Sequence, residues 1–210
     1  MRNLFIDTSS KDLTIAVTSL TEIYSISSIK NLDKHSLYAI KSFKETIDNS
    51  NIKSNEIDKV FVINGPGSFT GIRIGVTIAK TYAWSLNKPL IPISSLHAYA
   101  LSYKDYSYYI SVIDARRGYV YASIYDDKYN VYLEEKYISI EELLTKISKI
   151  DNYIIIGNIN IGEYNSIYPE LDIVKIINYY NNHESINPHS LKPNYLKKVE
   201  AEEQLMLNNK

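Results

Sequence analysis

The feature that most constrains the fold is a pattern that occurs twice along the chain. Three short β-rich runs, NLFIDTS, DLTIAVTSL and EIYSISSI, open the sequence, and three more, YYISVIDA, YVYASIYD and VYLEEKYIS, begin after about Lys104. Each group has the residue types and turn-separated spacing of a meander of three antiparallel strands. A chain that starts the same motif twice is expected to build two sheets.

Helices and further strands follow each predicted meander. After the first, DKHSLYAIKSFKETIDNS predicts a helix with Asp33 as its N-cap, since apolar residues recur there at helical spacing: Leu37, Ile40, Phe43 and Ile47. A buried strand KVFVING, a helix from Thr70 to about Asn87, a strand PLIPIS and a short helix SSLHAYALSY come next. After the second meander, a helix EELLTKIS, a strand YIIIG and a looser tail are expected.

The order βββαβαβα in the first half predicts a mixed sheet covered by helices. Its repetition predicts an α/β protein of two lobes, each with a mixed β-sheet flanked by helices. This is the layout of the actin, hexokinase and Hsp70 superfamily, the ASKHA fold. We assign residues 1–104 to the N-terminal lobe and residues 105–210 to the C-terminal lobe, with a tail that can return to the first lobe.

Composition excludes several classes of protein. The 210 residues carry a net charge of −1, so the totals give no basic face for unaided nucleic-acid binding. The absence of Cys excludes a disulfide framework and a Cys nucleophile. No run approaches ~20 apolar residues, so we expect a cytoplasmic protein without a membrane partner. The 20 Tyr residues have two interpretations, the codon bias of an AT-rich genome or a stacking surface for bases.

A glycine loop, GPGSFTG, joins strand KVFVING to the following helix. A P-loop needs a Lys after the last Gly, where Ile72 stands here. A dinucleotide fingerprint needs a third Gly where Thr70 stands, and the next strand ends without an acid. Two interpretations remain open. The helix start can bind an anion with help from Ser68 and Thr70, or the loop is a tight turn that one of these two residues caps.

The helix after this loop carries two apolar stripes. One contains Ile72, Val76, Ala79, Ala83 and Leu86; the second contains Ile74, Ile78 and Tyr82, with Gly75 between them. Together they are about twice as wide as the stripe of about 100° that a one-sided surface helix needs. The helix should therefore be buried on two sides, by its own sheet and by either a neighbouring helix of this chain or a partner protein.

Polar residues that can carry chemistry are few. No two His residues have the spacing of a helical metal site, so we expect His35 to be solvated and His97 to be packed or hydrogen-bonded. Asp7 ends the first strand, where actin-like ATPases place a metal-linked aspartate, and a turn role is equally compatible. Arg116 and Arg117 either grip a phosphate or carboxylate or only decorate a hairpin.

The motif GPGSFTG-x-R-x-G, with DTS on the first strand, DARRGYVY in the second lobe and the tail PHSLKPNYLKKVEAEE, resembles the bacterial TsaB (YeaZ) family. The resemblance covers essentially the whole chain. It implies a role in making N6-threonylcarbamoyladenosine in tRNA, beside the anticodon. It also implies a non-catalytic scaffold that supports the catalytic paralogue TsaD, works with the ATPase TsaE and meets tRNA only through the complex. A homodimer of the isolated chain is a further expectation.

Comparison with that paralogue implies that the active site is gone. TsaD binds its metal through an HxxxH pair, for which Ser95 and Tyr99 stand here, and Asp114 to Arg117 replace its tandem glycines. The resemblance therefore implies no cofactor, metal or catalytic residue. It also implies that the two N-terminal helices pair with those of TsaD, through Leu37, Ile40, Ile74, Gly75, Ile78 and Tyr82. The alternatives are an independent actin-like ATPase or sugar kinase, and a peptidase.

Overall fold

The computed structural model describes residues 1–197 and contains two β-sheets. The first sheet consists of β1 (Asn3–Asp7), β2 (Leu13–Thr18), β3 (Ile23–Ile29), β4 (Lys59–Gly65) and β5 (Leu90–Ser94). Its strand order is β3-β2-β1-β4-β5. The meander β1–β2–β3 is antiparallel, whereas β1, β4 and β5 run parallel, so the sheet is mixed as predicted.

The second sheet repeats this plan with one parallel strand fewer. It consists of β6 (Tyr108–Asp114), β7 (Tyr119–Asp126), β8 (Val131–Ser139) and β9 (Tyr153–Gly157), in the order β8-β7-β6-β9. The meander β6–β7–β8 is antiparallel and β9 pairs with β6 in parallel. The prediction of two mixed sheets flanked by helices is confirmed.

Within residues 1–197, five α-helices cover the sheets: α1 (His35–Asn49), α2 (Phe69–Ser85), α3 (Ser95–Leu101), α4 (Ile140–Ile147) and α5 (Ile173–Tyr180). Helices α1 and α2 enclose one core on the first sheet, and α3 and α5 enclose another on its opposite face. Helix α4 packs on the second sheet, and α3 also contacts that sheet from the other side. Helix α3 therefore lies between the two sheets.

Two predictions about helices were wrong. The N-cap of α1 is Lys34 and not Asp33, and it makes no side-chain capping hydrogen bond. Residues 173–180, predicted as loose tail, form α5, where the Asp172 side chain accepts a hydrogen bond from the Lys175 amide at 2.9 Å. The apolar spacing of α5 is helical, but eight residues are too few for periodicity alone to distinguish a helix from a strand.

After α5 the chain lies against the first lobe. Ile186 pairs with Leu90 beside β5, Leu191 is buried in the core under α1 and α2, and the Asn194 amide donates to the Asn64 carbonyl at 2.7 Å. The remainder of the predicted tail motif, residues 198–203, lies outside the described residues. No helix within residues 1–197 has the length and apolar character needed to cross a membrane.

Candidate functional site: a groove between the two N-terminal helices

The glycine loop packs the start of α2 directly onto the end of β1. The Ser68 amide donates to the Ser9 carbonyl at 2.6 Å, and the Thr8 hydroxyl donates to the Gly71 carbonyl at 2.7 Å. A Cβ on Gly71 would collide with the Thr8 carbonyl oxygen. Ser68 caps the helix, since its hydroxyl accepts from the Gly71 amide at 3.2 Å. The loop is thus a capped turn and a site of close packing, while Thr70 is exposed.

Much of the second stripe on α2 is buried inside the chain. Gly75 faces β1, where a Cβ would collide with the Thr8 hydroxyl. Ile78 and Tyr82 are each only 8% exposed. Helix α1 covers them: the Phe43 and Tyr82 rings meet edge to face with centroids 5.5 Å apart. Of the residues predicted for a partner surface, Gly75 therefore faces Thr8 and Tyr82 packs under α1, whereas Ile78, although mostly buried, lines the groove described below.

The first half of helix α1 exposes large apolar side chains to solvent. The buried residues of the helix are His35, Ala39, Ser42, Thr46 and Ile47. By contrast, Leu37 is 66% and Ile40 is 64% exposed, and Tyr38 beside them is also exposed. Exposed apolar residues that lie together, above an inner face that contains small and polar ones, are typical of an interaction surface.

Burial of His35 contradicts the expectation that it is solvated. Its Nε2 lies 3.2 Å from the Asp12 carbonyl oxygen, so the ring fixes the start of α1 against the β1–β2 connection. A polar side chain at a helix start is usually solvated. No local sequence pattern distinguishes the buried His35 from a solvated histidine at that position.

A groove of about 430 Å³ runs between α1 and α2. It is lined by Ser36, Ala39, Ile40, Phe69, Thr70, Arg73, Ile74, Thr77 and Ile78. The predicted interface residues Ile40 and Ile74 form its walls, and Leu37 lies exposed on the same helix as Ile40. We call this the α1–α2 groove. Phe69, Arg73 and Thr77 were missed by the prediction, although Phe69 and Arg73 belong to the quoted glycine-loop motif.

A single guanidinium stands at one end of the groove. The Arg73 Cζ lies 3.8 Å from the centroid of the Phe69 ring, and Arg73 Nε donates to the Tyr195 hydroxyl at 2.8 Å. Among the ion pairs of residues 1–197, Arg73 has no carboxylate partner. The stacking and the hydrogen bond hold its side chain in place, leaving its two terminal nitrogens for another group.

A second cavity, of about 290 Å³, lies beside Asp7 at the end of β1. The Ser9 amide donates to Asp7 Oδ1 at 2.8 Å, which is the turn role, and burial raises the pKa of the Asp7 carboxyl. Asp12 accepts from Lys30 Nζ at 3.0 Å on the opposite wall. These polar groups share the cavity lining with apolar side chains such as Ile26 and Leu171.

Ser95 and Tyr99 lie close to this cavity. The Ser95 hydroxyl donates to the Ser9 hydroxyl at 3.2 Å, and Tyr99 lines the cavity. A tyrosine phenol is ordinarily protonated near neutral pH, and burial raises the pKa of Tyr99 further. A hydroxyl and a protonated phenol are poor substitutes for two imidazoles as metal ligands. Within residues 1–197, no cluster of three or more His, Cys, Asp or Glu residues is placed to hold a metal ion.

His97 and the arginine pair complete the predicted residues. His97 Nδ1 lies 2.6 Å from the Tyr180 hydroxyl, and its ring stacks on that of Tyr125 with centroids 4.7 Å apart. This confirms the expectation that His97 is packed or hydrogen-bonded. Arg116 and Arg117 occupy the exposed β6–β7 turn, where Arg116 forms an ion pair of 3.3 Å with Asp114. The predicted anion-contact residues are therefore divided between the lobes: the arginine pair is on the second lobe, whereas Ser68 and Thr70 are on the first.

Comparisons with known proteins point to one family. A family model described as TsaD, tRNA N6-adenosine threonylcarbamoyltransferase, matches residues 29–203. The tRNA threonylcarbamoyladenosine biosynthesis protein TsaB of Bacillus subtilis (strain 168) is 38% identical over 138 residues, 64% of this chain. The alignment covers 59% of that relative, less than two thirds of its length.

Two further comparisons extend over more of the molecule. The TsaB protein of Buchnera aphidicola subsp. Schizaphis graminum is 34% identical over 155 residues, which are 71% of this chain and 70% of that protein. The solved structure of YeaZ from Pseudomonas aeruginosa superposes with a TM-score of 0.77 at 19% identity, covering 93% of this chain and 99% of that one.

Proposed function

The chain belongs to the TsaB family, and on that premise we propose that it is a non-catalytic subunit of the machinery that makes N6-threonylcarbamoyladenosine in tRNA. The relatives it matches are named for biosynthesis of this nucleoside. Its role is to support a catalytic paralogue of the TsaD type. A TsaE-type ATPase completes the set of protein partners.

The observation that carries the proposal is the α1–α2 groove. Leu37 and Ile40 expose apolar side chains beside a concave, mainly apolar surface. A groove between two helices accepts the apolar face of further helices, as in helix-in-groove recognition. The paralogue shares this chain's domain type, so its own N-terminal helices are the occupant that we propose. A second copy of this chain is the competing occupant when the partner is absent.

The absence of catalysis rests on the residues near Asp7. The two positions that align with a metal-binding His pair hold Ser95 and Tyr99, both buried. The Ser95 hydroxyl hydrogen-bonds to Ser9, and Tyr99 lines a cavity in which Asp7 accepts from the Ser9 amide and Asp12 from Lys30. We therefore expect the isolated chain to hold no stoichiometric zinc or iron and to show no enzyme-like ATP hydrolysis.

Reconstitution with purified components tests the proposal. An unmodified tRNA transcript is incubated with TsaD-type and TsaE-type proteins and the threonylcarbamoyl donor, with and without this chain, and the modified nucleoside is quantified by mass spectrometry. Modification should depend on the chain, and metal analysis of the chain alone should give no bound ion. Full modification without the chain, or one tightly held ion per chain, would overturn the proposed role.

A further inference from the structure

We propose that this chain contacts tRNA directly, through a strip of exposed and half-buried aromatic and cationic side chains that stacks on unpaired bases. The strip consists of Phe69, Arg73, Tyr195, Lys197, Tyr137 and Tyr119, and ends at Arg116 and Arg117. We call it the aromatic–cation strip. This inference rests on the proposed function for the identity of the RNA, and it adds an RNA-contact surface on this chain itself.

The first half of the strip lies at the start of α2. The Phe69 and Tyr195 rings are stacked with centroids 5.2 Å apart and an interplanar angle of 28°. Arg73 lies over the Phe69 ring and hydrogen-bonds to Tyr195, as described above. Phe69 is 51% exposed, so these rings offer π-surface to solvent.

The second half lies on the other lobe and is joined to the first by the tail. Two residues after Tyr195, Lys197 Nζ lies 5.2 Å from the centroid of the Tyr137 ring. The Tyr137 ring stacks on that of Tyr119, with centroids 4.6 Å apart and an interplanar angle of 8°. Tyr119 is 40% exposed and follows the β6–β7 turn that carries Arg116 and Arg117. The strip therefore has both aromatic and cationic groups on each lobe.

The charge of the strip is positive in a chain that is close to neutral overall. Arg73, Arg117 and Lys197 take part in none of the ion pairs found within residues 1–197, whereas Arg116 is paired with Asp114. The side chain of Arg116 is nevertheless 83% exposed. Three cations without a carboxylate partner in the described part of the chain are available for an anionic ligand.

Unpaired RNA fits this surface better than another protein does. Aromatic rings stack on bases of any sequence, and guanidinium and ammonium groups contact the backbone between them. The fully paired regions of RNA hide their base faces, so a loop is the part of a tRNA that can use such a strip. Phe69 and Arg73 also line the α1–α2 groove, so RNA on the strip would lie beside a subunit bound there.

Binding of an unmodified tRNA transcript, measured by fluorescence anisotropy between 50 and 200 mM salt, tests the strip. The assembled complex and the isolated chain are titrated in parallel. Replacing Arg117→Gln or Lys197→Gln should each reduce the slope of log K against log salt by about 1. Tyr119→Ala should weaken binding about tenfold, the loss of one stacked base, while Tyr119→Phe should leave it unchanged.

Matched controls come from an exposed part of the second sheet outside the strip. Tyr132→Ala removes an exposed β8 tyrosine that packs against Tyr108, and Lys128→Gln removes an exposed lysine from the β7–β8 turn. Neither should change tRNA affinity. Thermal unfolding of each variant checks that Tyr119→Ala has not simply disrupted the hairpin, and Tyr119→Phe preserves the ring stacking in any case.

Gel filtration of the same samples separates this proposal from the proposed function. If folded strip variants bind tRNA as tightly as the wild type and with the same salt slope, the strip does not contact RNA and the inference is wrong. It is also wrong if these variants lose subunit assembly rather than tRNA, because the strip is then a protein interface. Failure of the wild-type chain to assemble, with strip-dependent tRNA binding intact, would overturn only the proposed function.

Discussion

At the scale of single residues, close packing decides what the glycine loop does. Two residues directly after β1, Thr8 and Ser9, occupy the space that side chains would need at Gly67, Gly71 and Gly75. The spacing of four residues puts the last two on one face of α2, against Thr8. The sequence indicated a special turn at GPGSFTG but left open an anion site. The choice depends on Thr8 and Ser9, some 60 residues away.

We expect Gly75→Ala to destabilise the chain, although alanine normally favours a helix over glycine. The added methyl would meet the Thr8 hydroxyl, so α2 would have to shift from β1, which costs about 1–3 kcal/mol of unfolding free energy. Urea unfolding of both proteins measures the difference. Gly118→Ala is a poor control because of its positive φ, so Ser36→Ala, exposed on α1, serves instead. A Gly75→Ala protein more stable than the wild type would contradict the packing role.

His97 makes stability depend on pH. Burial, with a smaller effect of His183, lowers the pKa of His97 to about 4, from about 6.5 in the unfolded chain. The folded state therefore favours the neutral ring. Its contribution is fully present above pH 6.5 and is lost as the pH falls towards 4, by up to about 3 kcal/mol.

The measurement is urea unfolding at several pH values between 7 and 4. The wild type should lose more unfolding free energy over this range than His97→Gln does, because only the wild type must protonate a buried imidazole. His189→Gln, at an exposed histidine, should follow the wild-type curve. Parallel curves for the wild type and His97→Gln would show that His97 does not cause the pH dependence.

At the scale of helices and strands, the sequence predicts which faces are apolar but not which element packs against each face. The two stripes of α2 correctly predicted burial on two sides, yet a helical wheel cannot say whether α1 or a partner fills the second. In the structure α1 covers Tyr82 and most of Ile78, while Ile74 and the remaining surface of Ile78 line the groove. Similarly, Leu37 and Ile47 belong to one apolar series at helical spacing, but only Ile47 is buried.

This difference in burial predicts distinct outcomes for two Asp substitutions that look equivalent in sequence. Ile78→Asp places a charge in the core under α1 and should cost several kcal/mol, enough to unfold a marginally stable domain. Ile40→Asp changes an exposed side chain and should alter the unfolding free energy by no more than about 0.5 kcal/mol. Thermal unfolding followed by circular dichroism distinguishes them. A stable Ile78→Asp monomer would place Ile78 at the surface instead.

At the scale of the whole molecule, the repeated meander predicted the architecture well. Two mixed sheets, their strand directions and most helix positions follow from patterns of about ten residues. What could not be predicted is the set of contacts that join distant segments. Leu191 enters the first-lobe core, and Tyr195 meets Arg73 from 122 positions away. Local periodicity carries no information about such long-range contacts, although the Tyr195–Arg73 contact belongs to the aromatic–cation strip.

The central claim is that the α1–α2 groove receives the catalytic paralogue, and sedimentation equilibrium of this chain with a TsaD-type protein tests it most directly. A buried charge in an apolar contact costs several kcal/mol unless it is paired. At about 1.4 kcal/mol per tenfold, Ile40→Asp should therefore weaken the complex at least about a hundredfold. Ile23→Asp, at an exposed apolar residue of β3, should bind like the wild type. Equal affinity of folded Ile40→Asp, Ile23→Asp and wild-type chains would contradict the account and place the interface elsewhere.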